Sequence, residues 1–276
     1  MINLKISGLI TMLIILLISN HLQAQEFQGI ATYKSHRKVD LKMDEKKVNS
    51  EMQKSIKEQL KRQFQQEYTL EFNRNESIYK RVEKLDKPSP ASSTGVIIKV
   101  SQGADIIYKN VKENRYTNKT EISGKIFLIK DTLENKKWQL VNETKNIGEY
   151  TCFKAIFKEE YTSKTITEDG KFEDVTKDRT TTIWYTPQIP VNNGPENYFG
   201  LPGLVLEVND GELTLICSKI VLNPKEFFEI EEPSRGKEVS QKEYDEISEK
   251  KNKEMMENFQ TGRREHGEKV MIRIGG

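Results

Sequence analysis

Apolar and polar residues alternate in short runs through most of this chain, and a period of two predicts β-strands. Tyr68, Leu70 and Phe72 alternate with Thr69 and Glu71, and Asn73-Arg74-Asn75 then turns the chain toward Ile78-Tyr79. Comparable strand-like runs occupy residues 27–33, 96–100, 104–111, 114–122, 125–130, 138–141, 150–167, 172–185, 203–208 and 212–221. Turn residues separate several of them, notably Ser123-Gly124, Asp169-Gly170 and Asn209-Asp210-Gly211. Short turns join antiparallel neighbours, so the pattern predicts an antiparallel sheet of roughly ten strands.

Two segments break this rhythm. From Asp44 to Glu67 the chain is rich in Lys, Gln and Glu, and Val48, Met52, Ile56, Leu60 and Phe64 recur every four residues. A strict four-residue step winds an apolar stripe around a helix, which suits oblique packing on a sheet better than a coiled-coil seam. Glu51, Glu58 and Glu67 alternate with its lysines, a poor match to a cationic lipid-binding face. Near the C-terminus, Ser240-Gln241-Lys242-Glu243 forms a capping box. The helix it opens, 240–262, carries Tyr244, Ile247, Met255, Met256 and Phe259, with Gly262 in the C-cap position. Residues 270–274 suit a last strand. The two helical segments flank one continuous β region with no linker, so residues 25–276 are read as one domain. The fold class is α+β, predominantly antiparallel β: a curved sheet or half-barrel of roughly ten strands with two peripheral helices. A sheet of this size curls or closes. A helix against its concave side would enclose an apolar groove.

The N-terminus sets the compartment. Lys5 is the sole charge in residues 1–24, the run from Leu9 to Ile18 is apolar, and Leu22-Gln23-Ala24 places a small residue before Gln25. That is the pattern of a secretory signal peptide over residues 1–24, shorter than a membrane span requires. No cysteine follows it, so no lipid anchor is expected. The mature chain is expected to be extracytoplasmic (periplasmic or secreted) and not inserted in a membrane. An oxidising compartment would allow Cys152 and Cys217, the two cysteines, to pair. Both sit in strand-like runs, so a bridge needs those strands to be neighbours. Two buried thiols acting as small hydrophobes are the alternative.

Charge and composition narrow the chemistry. With 44 basic and 42 acidic residues, the formal net charge of +2 gives no footprint of a nucleic-acid binder. Export would leave two histidines, His36 and His266, each in charged, loop-like surroundings. There is no phosphate-binding glycine loop, dinucleotide fingerprint, His-Glu-x-x-His or Cys-x-x-Cys motif. No catalytic residue, metal site or cofactor is read from the sequence. A carboxylate-based hydrolase would need two acids converging in one pocket.

The densest feature lies between Pro187 and Gly203, which holds four of the eight prolines and three glycines. Here a strand ending Trp184-Tyr185-Thr186 stops at Pro187, and Pro190 continues a rigid connector. Asn192-Asn193-Gly194-Pro195 turns, Tyr198-Phe199 follows, and Gly200-Leu201-Pro202-Gly203 makes a tight corner into Leu204. Two readings stay open. In one, Pro187, Pro190, Gly194, Pro195, Gly200 and Gly203 shape an aromatic-plugged corner that pins the sheet. In the other, Trp184, Tyr185, Tyr198, Phe199, Leu201, Pro202 and Leu204 form a binding rim for an apolar small molecule or an envelope protein.

Gly200-Leu201-Pro202-Gly203-Leu204-Val205, with Trp184-Tyr185-Thr186-Pro187, Ile189-Pro190 and Gly194-Pro195, resembles the signature of the GLPGLI family of exported bacterial proteins. Leu70-Glu71-Phe72 and the run Ile147-Gly148-Glu149-Tyr150-Thr151-Cys152-Phe153-Lys154-Ala155 resemble its early and middle segments. The chain departs from that signature at Val205 and in the long charged segment 44–67. The resemblance implies export and a β-rich domain, with no established reaction and no catalytic residues to carry over. The function expected is an exported, non-enzymatic cell-envelope protein that binds an apolar ligand or partner segment through the curved sheet and the Gly/Pro/aromatic loop. The alternative is a structural or interaction module without a ligand.

Overall fold

The computed structural model describes residues 27–38, 65–83, 105–166 and 172–265, together with 50 and 54. Twelve strands form one sheet: β1 (Gly29–Arg37), β2 (Glu67–Phe72), β3 (Glu76–Arg81), β4 (Ile106–Asn110), β5 (Arg115–Ile122), β6 (Lys125–Thr132), β7 (Gln139–Ile147), β8 (Tyr150–Ile166), β9 (Phe172–Thr186), β10 (Leu204–Asn209), β11 (Leu213–Leu222) and β12 (Lys237–Val239). Their order is β12-β6-β5-β4-β3-β2-β1-β11-β10-β9-β8-β7. Each neighbouring pair is antiparallel except β12 with β6, which is parallel. The sheet is open, with β12 and β7 at its edges.

The predicted turns form as their chemistry requires. Ser123 and Gly124 both take positive φ between β5 and β6, as a two-residue hairpin needs. Asn73 Oδ1 accepts from the amides of Asn75 and Glu76, and Asp210 Oδ1 from those of Glu212 and Leu213. The Asp169-Gly170 hairpin tip and the strand expected over 96–100 lie outside the described residues, as does the one expected over 270–274.

The sheet is strongly curled, and two residues prove it. Phe199 packs with Tyr116, Phe127 and Ile129 of β5 and β6, whereas Leu201 packs with Ala155, Ile183 and Val205 of β8, β9 and β10. Laid flat, β6 and β10 would stand about 34 Å apart at the usual strand spacing. Two residues of chain span at most about 7 Å. Only a sheet rolled into a trough brings both clusters to one loop.

Twelve strands are present where roughly ten were expected; the later part of β7, beyond the run expected over 138–141, and the whole of β12 carry little apolar signal. β7 continues through Asn142–Asn146 as an exposed edge strand, and β12 is the charged triplet Lys237–Val239. One long helix, α1 (Gln241–Glu265), follows β12 among the described residues. Its capping box forms: the Ser240 amide donates to Glu243 Oε2 at 2.7 Å, and the Glu243 amide donates to Ser240 Oγ at 3.3 Å. Tyr244 and Ile247 pack on the cluster around Phe127. The helix runs through Gly262 rather than stopping there. Of the expected 44–67 helix, residues 50 and 54 are helical and most of the rest lies outside the described residues. Glu67 is a correction: it opens β2 and pairs with Lys34. Among the described residues no helix is long and apolar enough to cross a membrane.

Candidate functional site

The segment between β9 and β10, residues 187–203, lies across the concave side of the sheet. It enters with Ile189 and Val191, both buried against Leu70, Tyr79 and Ile107. It then crosses β3 and β4, where Ser77 Oγ donates to Asn193 Oδ1 at 3.1 Å. Lys109, on β4, is completely buried and donates from Nζ to the carbonyls of Gly194 and Glu196, each at 2.6 Å. Trp138 Nε1 donates to the Phe199 carbonyl at 2.8 Å as the loop reaches the far wall. Tyr33, also fully buried, donates to the Val205 carbonyl at 2.6 Å and ties the returning strand to β1.

Two glycines are required by this path. A Cβ on Gly203 would stand 2.2 Å from the Thr186 carbonyl oxygen, and Gly200 takes φ +91°. The loop's apolar residues therefore fill the trough. Phe199, Leu201, Leu204 and Tyr185 are buried, Tyr198 is half-buried, and Pro202 is exposed with Pro187 and Pro190. Gly194 and Pro195 are buried beneath the turn, and Gly200 is exposed. The expected rim of aromatic residues offered to a ligand thus turns inward at Tyr185, Phe199, Leu201 and Leu204. Trp184 packs against the cluster that holds Ile189 and Val191, half-buried beneath Lys145, whose Nζ lies 4.4 Å from the ring and also bridges Glu207 at 2.7 Å.

Cys152 and Cys217 are both buried and free. They sit on β8 and β11, which β9 and β10 separate in the sheet order, and both belong to one buried cluster. Burial pushes the Cys152 thiol up to about 11 and Cys217 up to about 12, the latter also raised by Cys152.

Polar groups remain on the loop and on the strands it covers. The register sets Tyr79, Ile107 and Asn118 side by side on β3, β4 and β5, with Lys109 two residues along β4 under the loop. Tyr79 is buried, stacked on Tyr68 with ring centroids 5.0 Å apart, and edge-on to Tyr33 at 6.3 Å. Its hydroxyl, like Asn118 Oδ1, is buried without a hydrogen-bond partner among the described residues. Glu196 takes φ +47° and keeps some solvent contact, and its carboxylate makes no hydrogen bond among the described residues. Burial pushes that carboxyl up to about 7, against the pull of Arg37 and Lys109 and with Asp210 and Asp105 adding to the rise. Burial pulls the Lys109 ammonium down to about 7, opposed by Glu196. Tyr68, Tyr79 and Tyr198 are raised by burial and then by the Glu196 charge.

Lys109, Tyr79 and Asn118 escape a motif search because none belongs to a motif. Their signal is parity: each shares strand register with Ile107 or Leu70, so each faces the trough with the core. Among the described residues no group of three or more His, Cys, Asp or Glu is placed to hold a metal.

No curated protein matches the sequence. Two crystal forms of PNGF-II, in C2 and P21 space groups, resemble the chain at 13% identity and a TM-score of 0.48, over 82% and 81% of its length. The chain spans about a third (33%) of those chains. Residues 138–207, from Trp138 through the loop into β10, match the family model Porph_ging, described as a protein of unknown function. This is the GLPGLI-type family of Bacteroidetes proteins, and the chain carries that family's region across the loop that fills its trough.

Proposed function

We propose that this is an exported cell-envelope protein that works by binding a ligand or partner segment, with Glu196, Tyr79 and Asn118 as candidate contact groups. One observation carries the reading. The loop fills the apolar trough with its own Ile189, Val191, Phe199 and Leu201, yet leaves Tyr79 Oη, Asn118 Oδ1 and the Glu196 carboxylate unpartnered. Buried polar groups are paired in most folded proteins, and an unpaired one costs about 1–3 kcal/mol. A role in binding a polar group explains why such groups persist. A polar group on the ligand is thereby proposed beside the apolar character expected from the loop composition. Export rests on the apolar run after Lys5.

A hydrolase is a second reading, favoured by the Glu196 carboxyl standing near neutrality with Asp105 and Asp210 acting on it. The partners argue against it. Asp105 is exposed at the rim, and Asp210 is spent on the amides of Glu212 and Leu213. Native mass spectrometry of mature protein purified from the envelope tests the binding reading. A bound small molecule is expected in the wild type, and it should be absent from a folded Tyr79→Phe, Asn118→Leu double variant. Bare protein mass in both samples supports a ligand-free structural module instead.

A further inference from the structure

We infer that the outer face of the sheet, opposite the trough, binds a short zwitterionic peptide with apolar side chains. The site is a cleft of about 400 Å³ roofed by residues 229–235, part of the segment that joins β11 to β12. Its floor is Glu71 of β2, Ile78 and Lys80 of β3, Ile106 of β4 and Lys119 of β5. These positions alternate along their strands with Leu70, Tyr79, Ile107 and Asn118, which face the trough. The cleft and the 187–203 loop therefore lie on opposite sides of the sheet.

The roof is fastened at both ends. Gln28, one residue before β1, donates from Nε2 to the Phe228 carbonyl at 2.8 Å. Glu232 accepts from Thr117 Oγ1 and, at 2.7 Å, from Arg115 Nη1, both on β5. Lys237 then pairs with Phe127 of β6. The chain from Phe228 to Lys237 thus crosses the sheet from β1 to β6, about 24 Å at the usual strand spacing. Those nine residues reach at most about 32 Å, so the roof has little slack to fold into the space beneath it.

Two carboxylates in the cleft are already satisfied, Glu71 by Lys80 at 2.8 Å and Glu232 by Thr117 and Arg115. Glu229, Glu231, Lys119 and Arg235 have no ion pair among the described residues, although Lys119 is half-buried. The two ends of the cleft differ in sign. Glu229 follows Phe228 at the β1 end. Arg235 precedes Gly236, which lies against Ile126 and Leu128 of β6, and Lys119 is on the adjoining β5. Glu231 sits between, beside the anchored Glu232. A lone anion would meet Glu229 and Glu231, and a lone cation would meet Lys119 and Arg235. A ligand with an ammonium at one end and a carboxylate at the other complements both. From β2 to β5 is about 14 Å. An extended tripeptide, about 10 Å long, bridges the two ends once a hydrogen bond is added at each. Ile78 and Ile106 below and Pro233 above offer apolar contact to its side chains.

Trileucine, its N-acetyl derivative and its C-terminal amide test this, each titrated into the mature protein at pH 7 and followed through the amide NMR signals of Ile78, Ile106 and Lys119. Trileucine is expected to shift these signals while leaving Tyr33 and Leu204, in the trough, unmoved. Each capped form should bind about tenfold more weakly, the loss of one charge-assisted contact. Lys119→Met should erase the discrimination against the amide and keep that against the acetyl derivative; Arg235→Gln, at an exposed position, should act in the same sense. Glu229→Gln should do the converse. Equal binding of all three peptides overturns the zwitterion assignment. No response to any of them, or shifts centred on the trough, overturns the outer-face site, and so does discrimination that all three variants leave unchanged. None of these results bears on ligand binding by the groups in the trough.

Discussion

Replacing Lys109 by Met tests whether a buried ammonium tethers the loop. An ordinary lysine titrates near 10.5, and burial under residues 194–196 brings Lys109 down to about 7. Between those values the unfolded chain holds a proton that the folded chain lacks. Stability is therefore fully present above pH 10.5 and is lost as pH falls through 7, by about 5 kcal/mol in all. Below 7 both states hold the proton and the dependence ends. Methionine matches the stem in length but leaves the Gly194 and Glu196 carbonyls without their donor, a loss of about 2–4 kcal/mol for the pair. At pH 10 the Met variant should be the less stable by that amount. At pH 7 the wild type carries the cost of its buried amine, and the variant should equal or exceed it. Urea unfolding followed by tryptophan fluorescence at pH 7, 8, 9 and 10 measures the difference, and other titrating groups cancel between the two proteins. A swing of about 4 kcal/mol is expected. A difference that stays constant from pH 7 to 10 would refute the placement of Lys109.

Three further perturbations probe other parts of the plug. Gly203→Ala puts a Cβ 2.2 Å from the Thr186 oxygen, so it should destabilise by roughly 3 kcal/mol or more; a melting temperature within 2 °C of wild type, to the order that shift scale implies, would contradict the corner. Phe199→Ala empties the contact with Tyr116, Phe127 and Ile129 and should cost about 3–5 kcal/mol by chemical denaturation, against near-neutrality for an exposed binding aromatic. Cys152 and Cys217 should resist a thiol reagent at pH 8 in the native protein and react together once it is unfolded, since burial holds both thiols protonated; fast labelling of either in the native state would disprove it.

Most strands were legible because alternation survives in residues such as Tyr68, Leu70 and Phe72, whose partners across β1 and β3 lie on the same face. The turn residues Ser123-Gly124 and Asn209-Asp210-Gly211 were legible for the same local reason. β12 and the later half of β7 were not, because a three-residue parallel strand and an exposed edge strand need no apolar alternation. The loop was visible as the densest cluster of proline and glycine, but not which way its aromatics face. That direction is decided by the curl of the sheet, a non-local property set by strands up to seven positions apart in the order. The buried polar groups were hidden for a related reason. Lys109 and Asn118 look like ordinary solvent-facing residues until register with Ile107 turns them toward the trough.

Native-state hydrogen exchange across residues 187–205 tests most directly whether this loop is an internal plug. The amide of Leu204 donates to the Ile189 carbonyl and that of Val205 to the Asn193 carbonyl, each at 3.0 Å, and both residues are fully buried. With the loop packed in the trough, these two amides exchange only through global unfolding, at rates that track the stability measured in urea. Exchange of either amide within seconds, in protein whose β1 and β2 amides remain protected, would contradict a plug and restore the loop as a surface element.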